Sequence, residues 1–148
     1  MIMNKKGFTL VELLSVMVIL GIISMIAVPN VVKIMADNKK EKVINDGLSM
    51  IALAKQKIAG DYDLREQVTA TGYNYTLDFI DKTKDIVNDP NGLAYDRTNS
   101  YVKVYKTGGV ITYCVYLKSN NWILNDEGSC VNEENLLKDN SKNYVKEN

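Results

Sequence analysis

The sequence predicts an α+β protein in which the second half of one long N-terminal helix packs on a small antiparallel β-meander. Three observations lead to this fold class. A long apolar run stands near the start of the 148-residue chain, and an amphipathic stretch with helical periodicity follows it. Short β-branched segments separated by turn residues then occupy residues 100–125, which favours a strand-turn-strand arrangement.

The apolar run covers residues 8–32 and contains one formal charge, Glu12. As a helix it would reach roughly 37 Å, which exceeds the bilayer hydrocarbon core of about 30 Å. Lys5 and Lys6 precede the run, so the positive-inside rule predicts a cytoplasmic N-terminus, with the chain from residue 33 onward outside the membrane. A cleaved secretory signal is the alternative, but it would have a shorter apolar core followed by a small-residue cleavage site.

Glu12 distinguishes this segment from a plain membrane anchor. A carboxylate within an apolar span costs several kcal/mol near the bilayer centre and less near its edge. Glu12 therefore requires a partner, unless its side chain reaches the lipid headgroups.

The segment Lys6-Gly7-Phe8-Thr9-Leu10-Val11-Glu12 resembles the prepilin signature of type IV pilins and pseudopilins, and the resemblance extends over about residues 5–35. It implies that a prepilin peptidase cuts between Gly7 and Phe8, and that Phe8 is then N-methylated. It also implies a homo- or hetero-polymer of pilin subunits, built by an inner-membrane assembly platform from subunits held in membrane lipid.

The same resemblance divides the chain into three parts. Residues 1–7 are the leader peptide, residues 8–32 are the transmembrane and polymerisation half of the helix, and residues 33–148 are an extracellular globular head. The precursor would lie in the cytoplasmic membrane, and the assembled subunit at the cell surface.

The predicted assembly contact joins Phe8 and Glu12. Cleavage creates an α-amine at Phe8, whose reference pKa near 8 makes it largely cationic at neutral pH. In a bundle of parallel helices, Glu12 of one subunit can pair with the Phe8 amine of a neighbour. Such pairing lowers the cost of two charges in a low-dielectric setting and fixes the axial register.

In the head, the helix is predicted to continue past Pro29, which is expected to kink or locally melt it, as far as residue 59, with Gly60 as its stop. Its buried stripe consists of Val43, Ile44, Leu48, Ile51, Ala54 and Ile58. Residues 61–99 are predicted as a loop carrying one short helix over residues 77–87, capped by Thr76.

Three strands of a meander are predicted at residues 101–106, 110–117 and 122–124, with a hairpin turn at Gly108-Gly109. Residues 132–148 are expected to form a short helix or a frayed tail. The sheet face expected to cover the helix carries Val102, Val104, Ile111, Val115 and Leu117.

Cys114 and Cys130 are the two cysteines of the chain. The predicted orientation places both outside the membrane, where disulfides form and persist. Cys114 lies in the second predicted strand, and the chain has returned toward that strand by Cys130, so we predict a disulfide between them. Two buried free thiols are the competing interpretation.

The composition favours a structural protein over an enzyme. There is no histidine and no nucleophile–base pair, so neither catalysis nor a bound cofactor is predicted. Eighteen basic and eighteen acidic side chains balance, and no nucleic-acid surface is expected. Two turns carry oxygen ligands of the kind calcium prefers, but without EF-hand spacing, so ordinary turn chemistry is preferred and no metal site is predicted. These residues are Asp85, Asn88, Asp89 and Asn91 in one turn and Asn125, Asp126 and Glu127 in the other.

Two functions fit the resemblance. The first is a structural subunit of a type IV pilus, assembled into an extracellular filament for adhesion, motility or aggregation. The second is a pseudopilin of a type II secretion or DNA-uptake machine. A membrane-anchored binding domain that never polymerises is a third alternative. The predicted meander with a cysteine-closed C-terminal loop favours the pilus subunit.

Overall fold

The computed structural model describes residues 7–126 and 128–148, and the chain divides into one unit that ends at Ala36 and a second unit, Asp37–Asn148. Helix α1 (Leu10–Gly60) contributes to both units, and an antiparallel sheet lies in the second. The α+β class predicted from the sequence is confirmed.

Helix α1 is uninterrupted at Pro29, so the expected local melting is wrong. Proline removes one backbone donor from the helix. The neighbouring Asn30 adds a bond, because its Nδ2 donates to the carbonyl of Ile26 at 3.0 Å. Extra side-chain bonds of this kind are one way in which apolar helices tolerate proline.

The part of α1 in the second unit buries one stripe of side chains, as its periodicity predicts. Five of the six predicted positions are buried, and Leu48 is half-buried against the core. Gly47 and Met50 are also buried, although the predicted stripe does not contain them. The full buried set is Val43, Ile44, Gly47, Met50, Ile51, Ala54 and Ile58.

The sheet has six strands, and every pairing in it is antiparallel. The bounds are β1 Tyr73–Thr76, β2 Tyr101–Thr107, β3 Val110–Lys118, β4 Trp122–Leu124, β5 Val131–Asn132 and β6 Val145–Glu147. The strand order is β1-β2-β3-β4-β6, and β5 pairs with β3 beside that path. The predicted three-stranded meander is therefore present as β2, β3 and β4, extended by three short strands.

One face of β2 and β3 covers the buried stripe of α1 and forms the core with it. Val102 is the register partner of Val115, so their side chains share this face, and both are fully buried. Val104 and Leu117 are buried beside them, as predicted, whereas Ile111 is only half-buried because it lies near the open hairpin end.

Two segments differ from expectation. Residues 61–99 hold helix α2 (Tyr62–Glu66), strand β1 and helix α3 (Leu77–Ile80). Thr76 caps α3 as predicted, since its side chain accepts from the Phe79 backbone N–H, but the helix ends long before residue 87.

The C-terminal segment is ordered by sheet pairing, so the alternative of a frayed tail is wrong. Helix α4 (Glu133–Leu136) and a 3-10 turn at Ser141–Tyr144 lead into β6, which pairs with β4. The predicted short helix corresponds to α4.

Arg97 fixes the chain after α3. Its Nη1 lies 3.2 Å from Oδ2 of the buried Asp81 and donates to the carbonyl of Ile86 at 3.2 Å, and its Nη2 donates to the carbonyl of Asp81. Burial alone would raise the pKa of the Asp81 carboxyl. Hydrogen bonds from the N–H groups of Asp85 and Ile86, together with the Arg97 guanidinium, have the larger combined effect, so the pKa lies below its usual value. The ionised carboxylate therefore ties α3 to the following loop.

A disulfide joins Cys114 of β3 to Cys130, the residue before β5, with the Cα atoms 5.3 Å apart. The register explains this proximity, because β5 places Val131 opposite Val115 and so brings Cys130 back to the middle strand. The bridge closes a loop with a sequence separation of 16.

We expect that changing Gly47 to valine destabilises the head. A Cβ at Gly47 would lie 2.7 Å from Leu124 Cδ2 and 3.4 Å from Val115 Cγ1, so a larger residue fits only if the buried Leu124 side chain shifts. Overpacking of this kind costs about 1–3 kcal/mol. Chemical denaturation of the segment 37–148 measures the loss.

Ala52→Val is the matched control for Gly47→Val. It adds a β-branched side chain to an exposed position of the same helix, where no clash arises and only the small loss of helix propensity from alanine to valine is expected. Equal stability of the two variants would contradict the close approach at Gly47.

We expect the oxidised protein to gain about 2 Da on reduction and to resist thiol labelling beforehand. Reduction should lower the stability of segment 37–148 by about 3 kcal/mol, because the unfolded chain regains the entropy of a loop of this size. Cys130→Ser, which leaves Cys114 unpaired, should match the reduced protein in thermal unfolding. Two labelled thiols in the unreduced native protein would show that the bridge is absent.

Candidate processing and assembly site

The junction between Gly7 and Phe8 lies outside the helix. Residues 7–9 have no regular structure, α1 begins at Leu10, and both Gly7 and Phe8 are exposed. A Cβ at Gly7 would meet no atom of the chain within 4 Å. The junction is therefore accessible to a protease, while residues 1–6, with Lys5 and Lys6 of the predicted leader, lie outside the described residues.

Thr9 and Glu12 form a capping box at the start of α1. The Thr9 backbone N–H donates to Glu12 Oε2 at 2.8 Å, and the Glu12 backbone N–H donates to Thr9 Oγ1 at 3.3 Å. Thr9 Oγ1 also donates to Glu12 Oε2, at 3.0 Å. A capping box satisfies backbone donors that the first turn of a helix leaves unpaired.

The partners expected for Glu12 from the sequence were a neighbouring subunit or lipid headgroups, and the contact with Thr9 was not predicted. The pattern Thr-x-x-Glu before an apolar run is a helix-start signal that would have indicated the contact. The bonds from Thr9 do not occupy Oε1, and a carboxylate accepts several bonds. Glu12 can therefore cap its own helix and still accept from a second donor.

The other polar side chains of the apolar segment bond within the helix. Ser15 Oγ donates to the carbonyl of Val11 at 2.8 Å, and Ser24 Oγ donates to the carbonyl of Leu20 at 2.7 Å. Asn30 bonds in the same way, so each of the three side chains donates to the carbonyl four residues earlier. Such bonding satisfies them without water, which suits a helix in lipid.

The surface of this segment is almost wholly apolar and exposed. Every residue from Gly7 to Ala36 is exposed, and the large apolar side chains from Phe8 to Met35 are each 52–86% exposed. Among the described residues, α1 contains the stretch that is long and apolar enough to cross a membrane. A water-soluble protein does not leave an apolar surface of this extent uncovered.

The oxygen-rich turns use their carboxylates internally. Asp89 is buried; its Oδ1 accepts from the N–H groups of Asn91 and Leu93 at 2.8 and 3.0 Å, and its Oδ2 accepts from Ser119 Oγ at 2.7 Å. Asp126 pairs with Lys146. This is turn chemistry, and the described residues contain no group of three or more acidic, cysteine or histidine side chains arranged for a metal.

Asp85 and Asn88 are likewise held within the fold. Asp85 Oδ2 accepts from Thr83 Oγ1 at 2.6 Å, and the Asn88 carbonyl accepts from Lys42 Nζ at 2.9 Å. Asn125 donates its N–H to the carbonyl of Tyr144 at 2.7 Å, and Glu127 lies outside the described residues.

A bare apolar helix with a capped carboxylate in its first turn, preceded by an accessible Gly-Phe junction, fits a membrane-anchored precursor. A family model described as a prokaryotic N-terminal methylation motif matches residues 2–28. The chain is also 32% identical, over 100 residues, to the ComG operon protein 3 homolog of Bacillus licheniformis. That alignment covers 66% of this chain and 94% of the relative, and no solved structure matches.

The chain belongs to the type IV pilin and pseudopilin family. Membership implies processing by a prepilin peptidase and polymerisation of subunits, and proteins of this family are structural components and are not known as enzymes.

We expect Gly7→Val to leave uncut precursor in the membrane. The missing Cβ lets a peptidase approach the backbone closely, and no contact within the described chain opposes the new side chain. N-terminal sequencing of the wild-type mature protein should begin at N-methylated Phe8. Gly21→Val makes the same change at another exposed glycine with no neighbour within 4 Å, and it should mature normally. Normal maturation of Gly7→Val would contradict this site.

Proposed function

We propose that the mature chain, residues 8–148, is a structural subunit of a type IV pilus, assembled into an extracellular filament for adhesion, motility or aggregation. The observation that carries the proposal is the exposed apolar surface of α1, from Phe8 to Met35. Lipid can cover this surface in a precursor, and the same surfaces of neighbouring helices can cover it in a filament.

Apolar surface alone does not specify how the helices meet. Lipid tails are as apolar as the side chains of α1, so helix association in a membrane depends on packing and polar contacts. Glu12 supplies the polar contact, because cleavage after Gly7 places an α-amine at Phe8 only one residue before the capping Thr9. We propose that Glu12 of one subunit accepts from the Phe8 amine of a neighbour.

The orientation proposed for the precursor places the head outside the cytoplasmic membrane. The disulfide of the head supports this, because such bonds persist in oxidising compartments and are rare in the cytosol. An exported head held by a lipid-compatible helix can be added to a growing filament from the membrane, with the prepilin peptidase and an inner-membrane assembly platform as partners.

We expect Glu12→Gln and Glu12→Ala to separate the two roles of this side chain. Glutamine also completes a capping box, so Glu12→Gln keeps the bonds to Thr9 and removes only the charge. Alanine removes both. If the charge pairs with a neighbouring amine, both variants should insert and mature but form few filaments, as measured by immunoblotting of sheared surface material.

Ser15→Ala is the control for the Glu12 variants. It removes a polar group from the same exposed region without touching charge or cap, and it should assemble at wild-type levels. Wild-type assembly of Glu12→Gln combined with a defect in Glu12→Ala would mean that only the cap matters, and the pairing would be wrong.

Electron microscopy of sheared surface material, labelled with an antibody against the head, tests the proposed function. Long labelled filaments are the expected result. Labelled protein that remains in the cell envelope, with no filament on any surface, would replace the pilus subunit by a pseudopilin.

A further inference from the structure

The head contains a cleft whose lining residues all lie outside the exposed apolar segment of α1. It measures about 400 Å³ and lies between α2, β1 and α3. Specific small-molecule sites fall in the range of about 300–1,000 Å³. The lining residues are Leu64, Gln67, Tyr73, Asn74, Tyr75, Thr76 and Phe79.

Three aromatic rings form one wall of the cleft. Tyr75 is buried and its hydroxyl donates to the Leu64 carbonyl at 3.1 Å, so the middle ring is held in place. Tyr73 lies 4.8 Å from Tyr75, and Phe79 lies 5.7 Å from it, between ring centroids. Tyr73 is 49% exposed and Phe79 is 36% exposed, so the fold covers both side chains only in part.

Lys57 and Arg97 hold Phe79 and the end of α3 in place. Lys57 Nζ lies 4.4 Å from the Phe79 ring centroid and donates to the Phe79 carbonyl at 2.7 Å. Arg97 anchors the end of α3 through the carbonyl of Asp81. The fold therefore holds Tyr75 and Phe79 in place, and Tyr73 contacts the ring of Tyr75.

The polar groups of the cleft are neutral and can both donate and accept. The polar lining residues besides Tyr75 are Gln67, Tyr73, Asn74 and Thr76, and Thr76 Oγ1 also caps α3. No lining residue carries a formal charge. The charges near the cleft are of both signs, with Asp61, Asp63, Glu66 and Asp78 acidic and Lys57, Arg65 and Lys103 basic. Because the lining itself holds no cation, a phosphate, sulfate or carboxylate ligand would find no charged partner among the lining residues.

We propose that this cleft binds an uncharged pyranose ring of a glycan. A pyranose has one apolar face of C–H groups, which fits an aromatic ring, whose face is electron-rich. Its hydroxyls each need a donor and an acceptor, which neutral amides and hydroxyls supply. This inference does not depend on the proposed filament, because every residue of the cleft belongs to the head.

An extended peptide added to the free edge of β1 is the competing occupant. β1 is the outermost strand of the sheet, but it has four residues and runs directly into α3. Short edge strands of this kind give an added strand few backbone partners, and they protect sheets against such pairing. The exposed aromatic faces are not explained by backbone pairing.

The test applies the full-length chain, in a detergent without a sugar headgroup, to a glycan array and a peptide array. Glycans ending in neutral glucose, galactose, mannose or N-acetylglucosamine should retain it, whereas sialylated and sulfated forms should not. Tyr73→Ala should weaken the affinity for the best glycan by about tenfold, the size of a good aromatic contact.

Tyr62→Ala is the matched control, because Tyr62 is a strongly exposed tyrosine of α2 that does not line the cleft. It should keep the wild-type affinity. Gln67→Ala gives a second, exposed cleft variant and should also weaken binding if Tyr73→Ala does not fold. Failure to bind any neutral glycan, binding of anionic glycans instead, retention on the peptide array alone, or equal losses in the cleft and control variants would overturn the proposal.

Discussion

The exposed apolar surface of α1 is the constraint on which the rest of this protein depends. From Phe8 to Met35 its large side chains are exposed within the described chain, and we propose that lipid covers them in the precursor and other helices cover them in the filament. The hydroxyls of Ser15 and Ser24 donate to carbonyls of their own helix, and the Glu12 carboxylate accepts from the Thr9 backbone N–H. The segment is thereby compatible with both surroundings, and we propose that its single charge sets the register of assembly.

The head differs from this segment, because its large apolar side chains are mostly packed in a core instead of exposed. Its core closes α1 against β2 and β3, and Gly47 allows the helix to approach Leu124 and Val115 closely. The Cys114–Cys130 bridge then holds the C-terminal chain, including the two-residue strand β5, against β3. The aromatic cleft between α2, β1 and α3 lies outside this core. Its partly exposed rings are therefore the basis for the proposed binding site.

Sequence patterns predicted the elements whose stability comes from long, regular stretches. The stripe from Val43 to Ile58 and strands β2 to β4 follow from periodicity. Strands β5 and β6 could not be predicted, because two or three residues such as Val145–Glu147 carry no period and become strands only by pairing with β3 or β4. The burial of Gly47 and the cleft beside Tyr73 likewise arise only when elements distant in sequence pack together. The Thr9–Glu12 cap, in contrast, could have been predicted from the Thr-x-x-Glu spacing.

The pairing of Glu12 with a neighbouring Phe8 amine is the central claim, and cryo-electron microscopy of assembled filaments tests it most directly. A map that resolves side chains should place the Glu12 carboxylate of each subunit within about 4 Å of a neighbour's Phe8 nitrogen, the distance of a charged contact. The amine should be found among the packed apolar segments of α1. Filaments in which Glu12 contacts only Thr9 of its own chain, with the Phe8 amine of every neighbour elsewhere, would contradict the account.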